Sequence, residues 1–250
     1  MILAIDLGNT RTKVGLFRAG QLEQVWTPAM GEVESKVAEI CSHFGNIKAV
    51  GWLSVADSKR DPQTWKLWQD LTFSPRLVGI HSQSSFPIQN DYQTPHTLGT
   101  DRIVGIIAAQ KRTPQQSVLV IDAGTALTYD FAKQDGSYLG GGIAPGLAMR
   151  FRSLHEFTAR LPWIQSLEEV PSLIGDSTQS SIESGVFNGM CAEIEGIVAR
   201  YQREHDPQVQ VFLSGGDFYR FENQLRCINF ADSNLILYGI YHLVSDPNFA

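Results

Sequence analysis

The chain has 250 residues, of which 43% are hydrophobic, and a net charge of −6. This composition suits one large domain or two small ones with real cores. No apolar run approaches the roughly 20 residues of a membrane span, and no basic stretch precedes the apolar N-terminus, so we expect a cytoplasmic protein without a membrane segment. Charges of both signs are mixed without a basic stripe, which argues against nucleic acid as a partner.

The cysteines and histidines give no sign of a metal centre. Cys41, Cys191 and Cys227 are odd in number, far apart and outside any C-x-x-C pair, which indicates reduced thiols and argues against zinc. The six histidines are scattered, as surface or packed imidazoles usually are.

Hydrophobic periodicity predicts the elements of the first half. They are strands over 2–5, 12–17, 22–26, 48–54 and 76–80, with helices over 32–44, 61–71 and 101–111. Pro62 is placed as the first helical residue of the second helix. The segment 81–99 contains Pro87 and Pro95 and has little periodicity, and loops of this length in compact proteins are often functional.

The second half repeats the pattern of strands followed by helices. Strands are predicted over 118–122, 126–131, 138–143 and 209–213, with helices over 146–158, 180–203, 218–225 and 235–244. The long helix rests on Ile182, Val186 and Met190, which recur at steps of four.

An internal similarity organises the chain. Residues 5–10, Ile-Asp-Leu-Gly-Asn-Thr, resemble residues 121–125, Ile-Asp-Ala-Gly-Thr, and each copy joins two predicted strands. The offset, 122 minus 6, is close to half the chain. We therefore predict a duplicated domain, with one copy over 1–115 and the other over 116–250. Two such turns facing one another would clamp the phosphates of a nucleotide.

The first turn carries groups suited to phosphate. Asp6 ends a strand, and Gly8 lacks a Cβ, so a phosphate can approach the backbone N–H groups. Asn9 and Thr10 can donate hydrogen bonds, and Lys13 supplies a point charge. A tight β-hairpin explains Asp-x-Gly-Asn equally well, so both interpretations stay open for the turn alone.

Three further glycine-rich or acidic segments invite similar hypotheses. Residues 122–128 repeat the first turn without its lysine. The run 140–146 would either end a strand beside a ligand or form a flexible corner. Residues 214–217, Ser-Gly-Gly-Asp, and the pair Gly185 and Gly189 would admit a flat adenine, although close helix packing explains that pair as well.

Gly99-Thr100-Asp101-Arg102 closes the long loop. Asp101 is a candidate general base and Arg102 a candidate fork for an anion. Aspartate is also favoured at helix N-termini, and spacing alone favours that structural interpretation.

Together these motifs resemble the type III pantothenate kinases, a family within the superfamily of acetate and sugar kinases, heat-shock proteins and actin. The resemblance rests on five motifs that span nearly the whole chain: Asp6-x-Gly-Asn-Thr-x-x-Lys13, Gly99-x-Asp-Arg102, Asp122-x-Gly-Thr-Ala-x-Thr128, Gly141-Gly-x-x-x-Gly146 and Ser214-Gly-Gly216. It implies an α/β fold of two ribonuclease-H-like domains with an interdomain cleft. One departure is Ser214, where the family pattern has threonine, and this change keeps the hydroxyl.

The resemblance also implies an activity and a set of site residues. ATP would phosphorylate pantothenate to 4'-phosphopantothenate, the first step of coenzyme A synthesis, with Mg²⁺ arriving on ATP and K⁺ or NH₄⁺ at Asp122. Asp101 would be the catalytic base, and the protein a homodimer. The implied ATP contacts are Asp6, Gly8, Asn9, Thr10, Lys13 and Thr125. The implied pantothenate contacts are Tyr92, Gly99, Thr100, Asp101, Arg102 and Thr178.

Two rival functions share part of this evidence. Another small-metabolite kinase, or a phosphatase of the same superfamily, would have both Asp-x-Gly turns but need not have Gly-x-Asp-Arg. A non-catalytic accessory factor for transcription would need neither Lys13 nor Asp101, and the lack of a basic patch argues against direct DNA binding.

Overall fold

The computed structural model describes residues 1–8, 10–54 and 61–249. The chain forms two compact units, one of Met1–Arg112 with Asn234–Ala250 and one of Thr113–Ser233. Ten strands lie in two five-stranded sheets within the described residues. They are β1 Ile2–Leu7, β2 Thr12–Arg18, β3 Gln21–Trp26, β4 Ala49–Ser54, β5 Arg76–Ile80, β6 Val118–Ala123, β7 Ala126–Ala132, β8 Tyr138–Pro145, β9 Gln210–Ser214 and β10 Phe230–Ala231. The α-helices are α1 Val33–Phe44, α2 Leu67–Asp70, α3 Thr100–Arg112, α4 Leu147–Glu156, α5 Thr178–Glu204, α6 Phe218–Phe221 and α7 Leu235–Ser245.

The two sheets have the same topology. The first has the order β3-β2-β1-β4-β5, and the second, taken from its other edge, has the order β8-β7-β6-β9-β10. In each sheet the central strand pairs antiparallel with the next strand of the chain and parallel with a strand from after a helix. The predicted α/β fold with a duplicated unit is therefore confirmed, and each copy begins with a hairpin that carries one Asp-x-Gly turn.

Each sheet buries an apolar face against helices. In the first unit, Leu3, Ile5 and Leu16 lie in one core cluster with Val37 and Ile40 of α1. In the second unit, alternate residues of β6 and β7, such as Ile121 and Leu127, cluster with α4 and α5. This alternation sends every second residue of a strand to the opposite face, and Asp6 and Asp122 are such residues.

The terminal helix α7 packs on the first sheet. A Cβ added to Gly51 of β4 would lie only 2.1 Å from Val244 Cγ2, so helix and sheet are in close contact there. Arg76 at the start of β5 holds the end of the helix by donating to the backbone oxygens of Val244, Asp246 and Phe249. The expected division at 115–116 gave this helix to the second domain, whereas the compact units group it with the first. The helix buries its apolar face against the first sheet, and its position in the chain gives no sign of which sheet it packs on.

The predicted helix over 61–71 is wrong. A 3-10 turn covers Pro62–Thr64, and α2 follows only at Leu67. Trp65 between them is extended, with φ −67° and ψ 136°. The Trp65 and Trp68 rings lie 6.1 Å apart in a stacked arrangement, and Trp68 Nε1 donates to Pro62 O at 2.6 Å. The conformation of this segment follows the packing of the two large rings and not the helix periodicity of the sequence.

Other element boundaries differ less. The long helix begins at Thr178, two residues before its predicted start, because Ser177 caps it by accepting from Ser180 N at 3.1 Å. The helix expected over 218–225 contains only Phe218–Phe221, and the two-residue strand β10 was not expected. None of the helices among the described residues has both the length and the apolar character that a membrane crossing requires.

Candidate active site

The hairpin of β1 and β2 places Asp6 opposite Lys13. These residues are direct partners in the antiparallel register, so their side chains point to the same face of the sheet. Gly8 follows at the turn, where an added Cβ would lie 2.8 Å from Arg11 O. The turn itself therefore requires glycine, independently of any ligand. Thr10 is exposed in the same turn, and the predicted ligand residue Asn9 lies outside the described residues.

The start of α3 holds Asp101 in a fixed position. Arg102 N donates to Asp101 Oδ1 at 3.0 Å and to Gly99 O at 3.1 Å. A Cβ on Gly99 would lie 2.6 Å from Asp101 Oδ1, so a side chain there would displace the carboxylate from its place over the helix start. Thr100 is buried within the first turn of the helix. The structural interpretation of this motif as a helix start is confirmed, and it also fixes the carboxylate that the sequence proposes as base.

Three charged side chains interact in the first unit. Although part of Asp6 remains accessible, the protein crowds its carboxylate. This desolvation is the largest cause that raises the pKa of Asp6 to about 7. Repulsion from the Asp101 carboxylate raises the pKa further, and the Lys13 ammonium opposes both effects. The fold thus brings Asp6, Lys13 and Asp101 together from positions up to 95 residues apart, since 101 minus 6 is 95.

Arg102 points to the loop that precedes it. Its guanidinium carbon lies 5.9 Å from the centre of the Tyr92 ring, which is within cation–π range. Arg102 is largely buried, with 8% of its surface exposed. The structure therefore places the predicted anion fork and the predicted tyrosine contact side by side at the end of the segment 81–99.

The second turn repeats the first with different partners. Asp122 at the end of β6 lies opposite Thr128 of β7 and, on its other side, opposite Ser214 of β9. A Cβ on Gly124 would lie 2.8 Å from Asp122 Oδ1, and Gly124 N donates to Ala126 O at 3.0 Å. Thr125 is exposed at the tip of the turn. In the second turn the carboxylate of Asp122 therefore has two hydroxyl-bearing neighbours, whereas in the first turn the carboxylate of Asp6 has a lysine opposite it.

Two glycines pack against the backbone of this second turn. A Cβ on Gly146 would lie 2.3 Å from Gly124 O and 2.4 Å from Thr125 O. Gly215 has φ +101°, and its Cβ would lie 2.4 Å from Ala123 O, to which Asp217 N donates at 2.8 Å. The glycine-rich segments at 140–146 and 214–217 therefore both converge on the Asp122 turn, a meeting that the sequence analysis did not predict.

The glycine run itself is not a corner. Gly140, Gly141 and Gly142 lie inside β8, which continues to Pro145, two residues beyond the predicted strand end. A Cβ on Gly141 would lie 1.7 Å from Tyr129 O of the neighbouring strand. Close backbone approach explains this glycine.

Thr178 lies at a groove of the second unit. It is the first residue of α5 and lines a cavity of about 940 Å³ with Asp176, Leu154, Ile182 and Gly185. No residue of the Asp122 turn is among the residues that line it. Apart from the adjacent residues and the backbone of α5 itself, no heavy atom in the described part of the chain comes within 4 Å of a Cβ added to Gly185 or Gly189. Close helix packing inside this chain therefore does not explain either glycine.

The sequence argument missed one buried carboxylate. Asp130, in the middle of β7, is 1% exposed and accepts a hydrogen bond from Tyr138 Oη at 2.6 Å. A charged residue two positions after Thr128 in an otherwise apolar strand is the signal that would have identified it. Elsewhere in the described ranges, no three His, Cys, Asp or Glu side chains are grouped so that they could hold a metal ion together.

Comparison with known proteins gives a consistent family. A family model described as type III pantothenate kinase matches residues 2–200. A type III pantothenate kinase of Phocaeicola vulgatus is 36% identical over 98% of this chain and 98% of the relative. Another, from Flavobacterium johnsoniae, is 38% identical over 95% of this chain and 94% of the relative.

Solved structures agree on the fold. A Campylobacter jejuni protein, described as of the Baf family of transcriptional activators, has a TM-score of 0.60 at 20% identity and is covered over 97% of both chains. A glucokinase from an Antarctic psychrotroph has a TM-score of 0.53 at 11% identity and 98% coverage of both. At such identities these likenesses concern the fold alone. The family model and the sequence relatives, over nearly the full length, show that this chain belongs to the type III pantothenate kinase family.

Proposed function

We propose that this chain transfers the γ-phosphoryl group of ATP to the primary hydroxyl of pantothenate. The product is 4'-phosphopantothenate, and the reaction is the first step of coenzyme A synthesis. Membership in the family supports the choice of acceptor. The observation that supports the proposal is that the charges of Asp101 and Lys13 both act on Asp6 in the first unit, because a carboxylate can serve as general base and a lysine suits phosphate.

The residues divide the chemical work. Asp101 accepts the proton of the pantothenate hydroxyl as that oxygen forms its bond to the γ-phosphorus. The bond from the γ-phosphorus to the bridging oxygen breaks, and ADP leaves with that electron pair. Lys13 offsets negative charge on the phosphates, and the rest of the site positions the two reactants, which is most of what phosphoryl transfer requires.

The Asp6 carboxylate fits a divalent cation that arrives with ATP, because oxygen ligands of this kind suit Mg²⁺. Asp101, whose charge acts on Asp6, keeps the role of base. When bound, Mg²⁺ screens the phosphate charge. A cation near Asp6 would also favour its ionised form over the protonated form that burial favours.

Further contacts are proposed from the resemblance to the family. For ATP they are Asp6, Gly8, Asn9, Thr10, Lys13 and Thr125. For pantothenate they are Tyr92, Gly99, Thr100, Asp101, Arg102 and Thr178. Arg102 suits the carboxylate of pantothenate because a guanidinium offers two parallel donors, and Tyr92 beside it adds a hydroxyl.

Asp122 is the proposed site of a monovalent cation, either K⁺ or NH₄⁺. Its carboxylate lies in register with Thr128 and Ser214, so hydroxyl oxygens are available on both neighbouring strands. Such a donor set fits a hard cation of low charge. The ion would offset the repulsion between this carboxylate and phosphate oxygens.

The chain is also proposed to act as a homodimer. Phe157, Leu173 and Ile174 are 84%, 79% and 84% exposed, and all three belong to the segments around the groove that contains Thr178. Apolar side chains grouped at a surface mark an interaction site. Light scattering coupled to gel filtration should give twice the mass of the 27.7 kDa chain. The cytoplasmic location and the lack of a nucleic-acid partner stay predictions from the sequence.

A coupled ATP assay tests the acceptor. Pantothenate should be phosphorylated, whereas pantothenol, which lacks the carboxylate, should show a higher KM because Arg102 loses its charged partner. Glucose should give no turnover above background. If glucose is the better acceptor, the assignment is wrong. If pantothenol equals pantothenate, the kinase assignment stands and the role of Arg102 does not.

A further inference from the structure

A buried carboxylate lies directly behind the second turn. Asp130 Oδ1 accepts from Tyr138 Oη at 2.6 Å, and Asp130 Oδ2 accepts from Thr128 Oγ1 at 3.2 Å. Asp130 and Tyr138 are 1% and 0% exposed. In both hydrogen bonds the hydroxyl is the donor, so both hydroxyls turn their protons toward the Asp130 oxygens.

This arrangement fixes the polarity of Thr128. A hydroxyl has one proton and two lone pairs, and the proton of Thr128 is used toward Asp130. Thr128 is the direct cross-strand partner of Asp122, so their Cβ atoms lie about 4.5–5.5 Å apart on the same face. Toward Asp122, the Thr128 oxygen therefore presents lone pairs and no donor.

Lone pairs suit a cation and do not suit a phosphate oxygen. A phosphate beside Thr128 would need the hydroxyl proton that Thr128 already donates to Asp130. Ser214 lies in register on the other side of Asp122 and is 2% exposed. The three side chains Thr128, Asp122 and Ser214 thus form one row across β7, β6 and β9.

We propose that Asp130 is a positioning residue that makes Thr128 a second oxygen ligand, beside Asp122, of the monovalent cation. Tyr138 holds the Asp130 carboxylate in place through its short hydrogen bond. This inference rests on the proposed cation at Asp122 and adds to it the ligand partner and the residue that orients that partner. It also gives a reason for a polar side chain in a buried strand, where a polar group without hydrogen-bond partners would be unfavourable.

Matched variants separate this role from a general structural one. Thr128→Val has nearly the same shape but no hydroxyl, whereas Thr128→Ser keeps the hydroxyl. In Asp130→Asn the amide oxygen accepts from Tyr138, so the amide N–H faces Thr128. The Thr128 hydroxyl must then accept, and its proton turns toward the cation.

The measurement is potassium binding by the full-length protein. The melting temperature is recorded in the presence of Mg-ADP while KCl replaces tetramethylammonium chloride at constant ionic strength. The rise in melting temperature with K⁺ gives the half-saturating K⁺ concentration. Loss of an outer-shell partner typically weakens metal affinity about 10–100-fold. We expect at least about a tenfold increase in that concentration for Thr128→Val and Asp130→Asn, and a change within about twofold for Thr128→Ser.

Each outcome has a distinct meaning. If the wild type responds to K⁺ and Asp122→Ala does not, the proposed cation site holds. If Thr128→Val then responds like the wild type, the further inference is overturned while the cation site survives. Should potassium leave the wild type itself unchanged, the cation proposal fails and this inference fails with it. The pair Thr128→Val and Thr128→Ser keeps the test decisive even if Asp130→Asn does not fold.

Discussion

The β1–β2 and β6–β7 hairpins begin two sheets of the same topology, yet a different residue lies opposite the aspartate in each. In the first it is Lys13, and in the second it is Thr128. The first hairpin has a second carboxylate, Asp101, near its aspartate, whereas the second has Asp130 buried behind the partner threonine. The backbone is duplicated, and its chemistry is not.

This difference suggests a division of labour. A carboxylate with a lysine and a candidate base suits phosphate and proton transfer. A carboxylate between two hydroxyl-bearing residues suits a cation. Substitutions in one hairpin should therefore change a different observable from substitutions in the other, and the following predictions test that separation.

The largest effect is expected at Asp101. Asp101→Asn removes the proposed base and should lower kcat on the order of 100- to 10,000-fold, because general-base loss typically has that effect. The coupled ATP assay measures it, with Asp70→Asn, an exposed carboxylate of α2, as the matched control. A folded Asp101→Asn protein with near-normal turnover would rule out the base role. A loss of only a few fold would instead indicate that Asp101 positions the substrate.

Asp6 should make the ligand-free protein less stable as pH rises. An aspartate exposed to water has a pKa of 3.8, whereas the pKa of Asp6 in the folded protein is about 7. Between these two values the unfolded chain ionises at this residue while the folded chain keeps the proton. Stability is therefore lost from pH 4 to pH 7 and stays reduced above it, by at most about 4 kcal/mol.

The variant Asp6→Asn cannot ionise and should lack this loss. Urea unfolding at pH 4, 5.5, 7 and 8 gives the free energy of unfolding of both proteins. The wild type should fall relative to Asp6→Asn between pH 4 and pH 7, and Asp6→Asn should bind Mg-ATP more weakly. Parallel pH profiles for the two proteins would show that Asp6 does not titrate as described.

Lys13 should contribute to the affinity for ATP more than to the chemical step. A hydrogen bond to a charged group contributes about 1.5–3 kcal/mol, so Lys13→Ala should raise the KM for ATP roughly 10- to 100-fold. Exposed Lys66 provides the control variant Lys66→Ala. The K⁺ response should be preserved in Lys13→Ala, since that response belongs to the other hairpin. A variant that lost the K⁺ response and kept its KM for ATP would contradict the division of labour.

The smallest effect, on stability, is expected from adding a methyl group at Gly146, which packs against the Asp122 turn. Gly146→Ala places a Cβ against Gly124 O and Thr125 O and should destabilise the protein by about 1–3 kcal/mol. Gly196→Ala is the matched control, because its added Cβ has no neighbour within 4 Å among the described residues other than the adjacent residues and the backbone of α5 itself. On an exposed helix that change should stabilise by up to about 1 kcal/mol. Denaturant midpoints measure both, and equal behaviour of the two variants would show that the turn tolerates the extra methyl.

Most of the strands and helices, and their repetition in two halves, were readable from local sequence patterns. Short apolar runs and the recurrence of Asp-x-Gly predicted a duplicated α/β fold, because both patterns are local properties of the chain. Asp101 and Asp122 were identified for a similar reason: each stands at the end or start of a predicted element, close to a glycine.

Which distant groups meet became visible only in the folded chain. The tertiary structure placed α7 on the first sheet, where Gly51 leaves room for Val244, and broke the predicted helix at Trp65 so that two indole rings could stack. It also brought Tyr138 to Asp130 and so set the direction of the Thr128 hydroxyl. These outcomes depend on packing and hydrogen bonding between separate strands and helices, and no pattern within one segment contains that information.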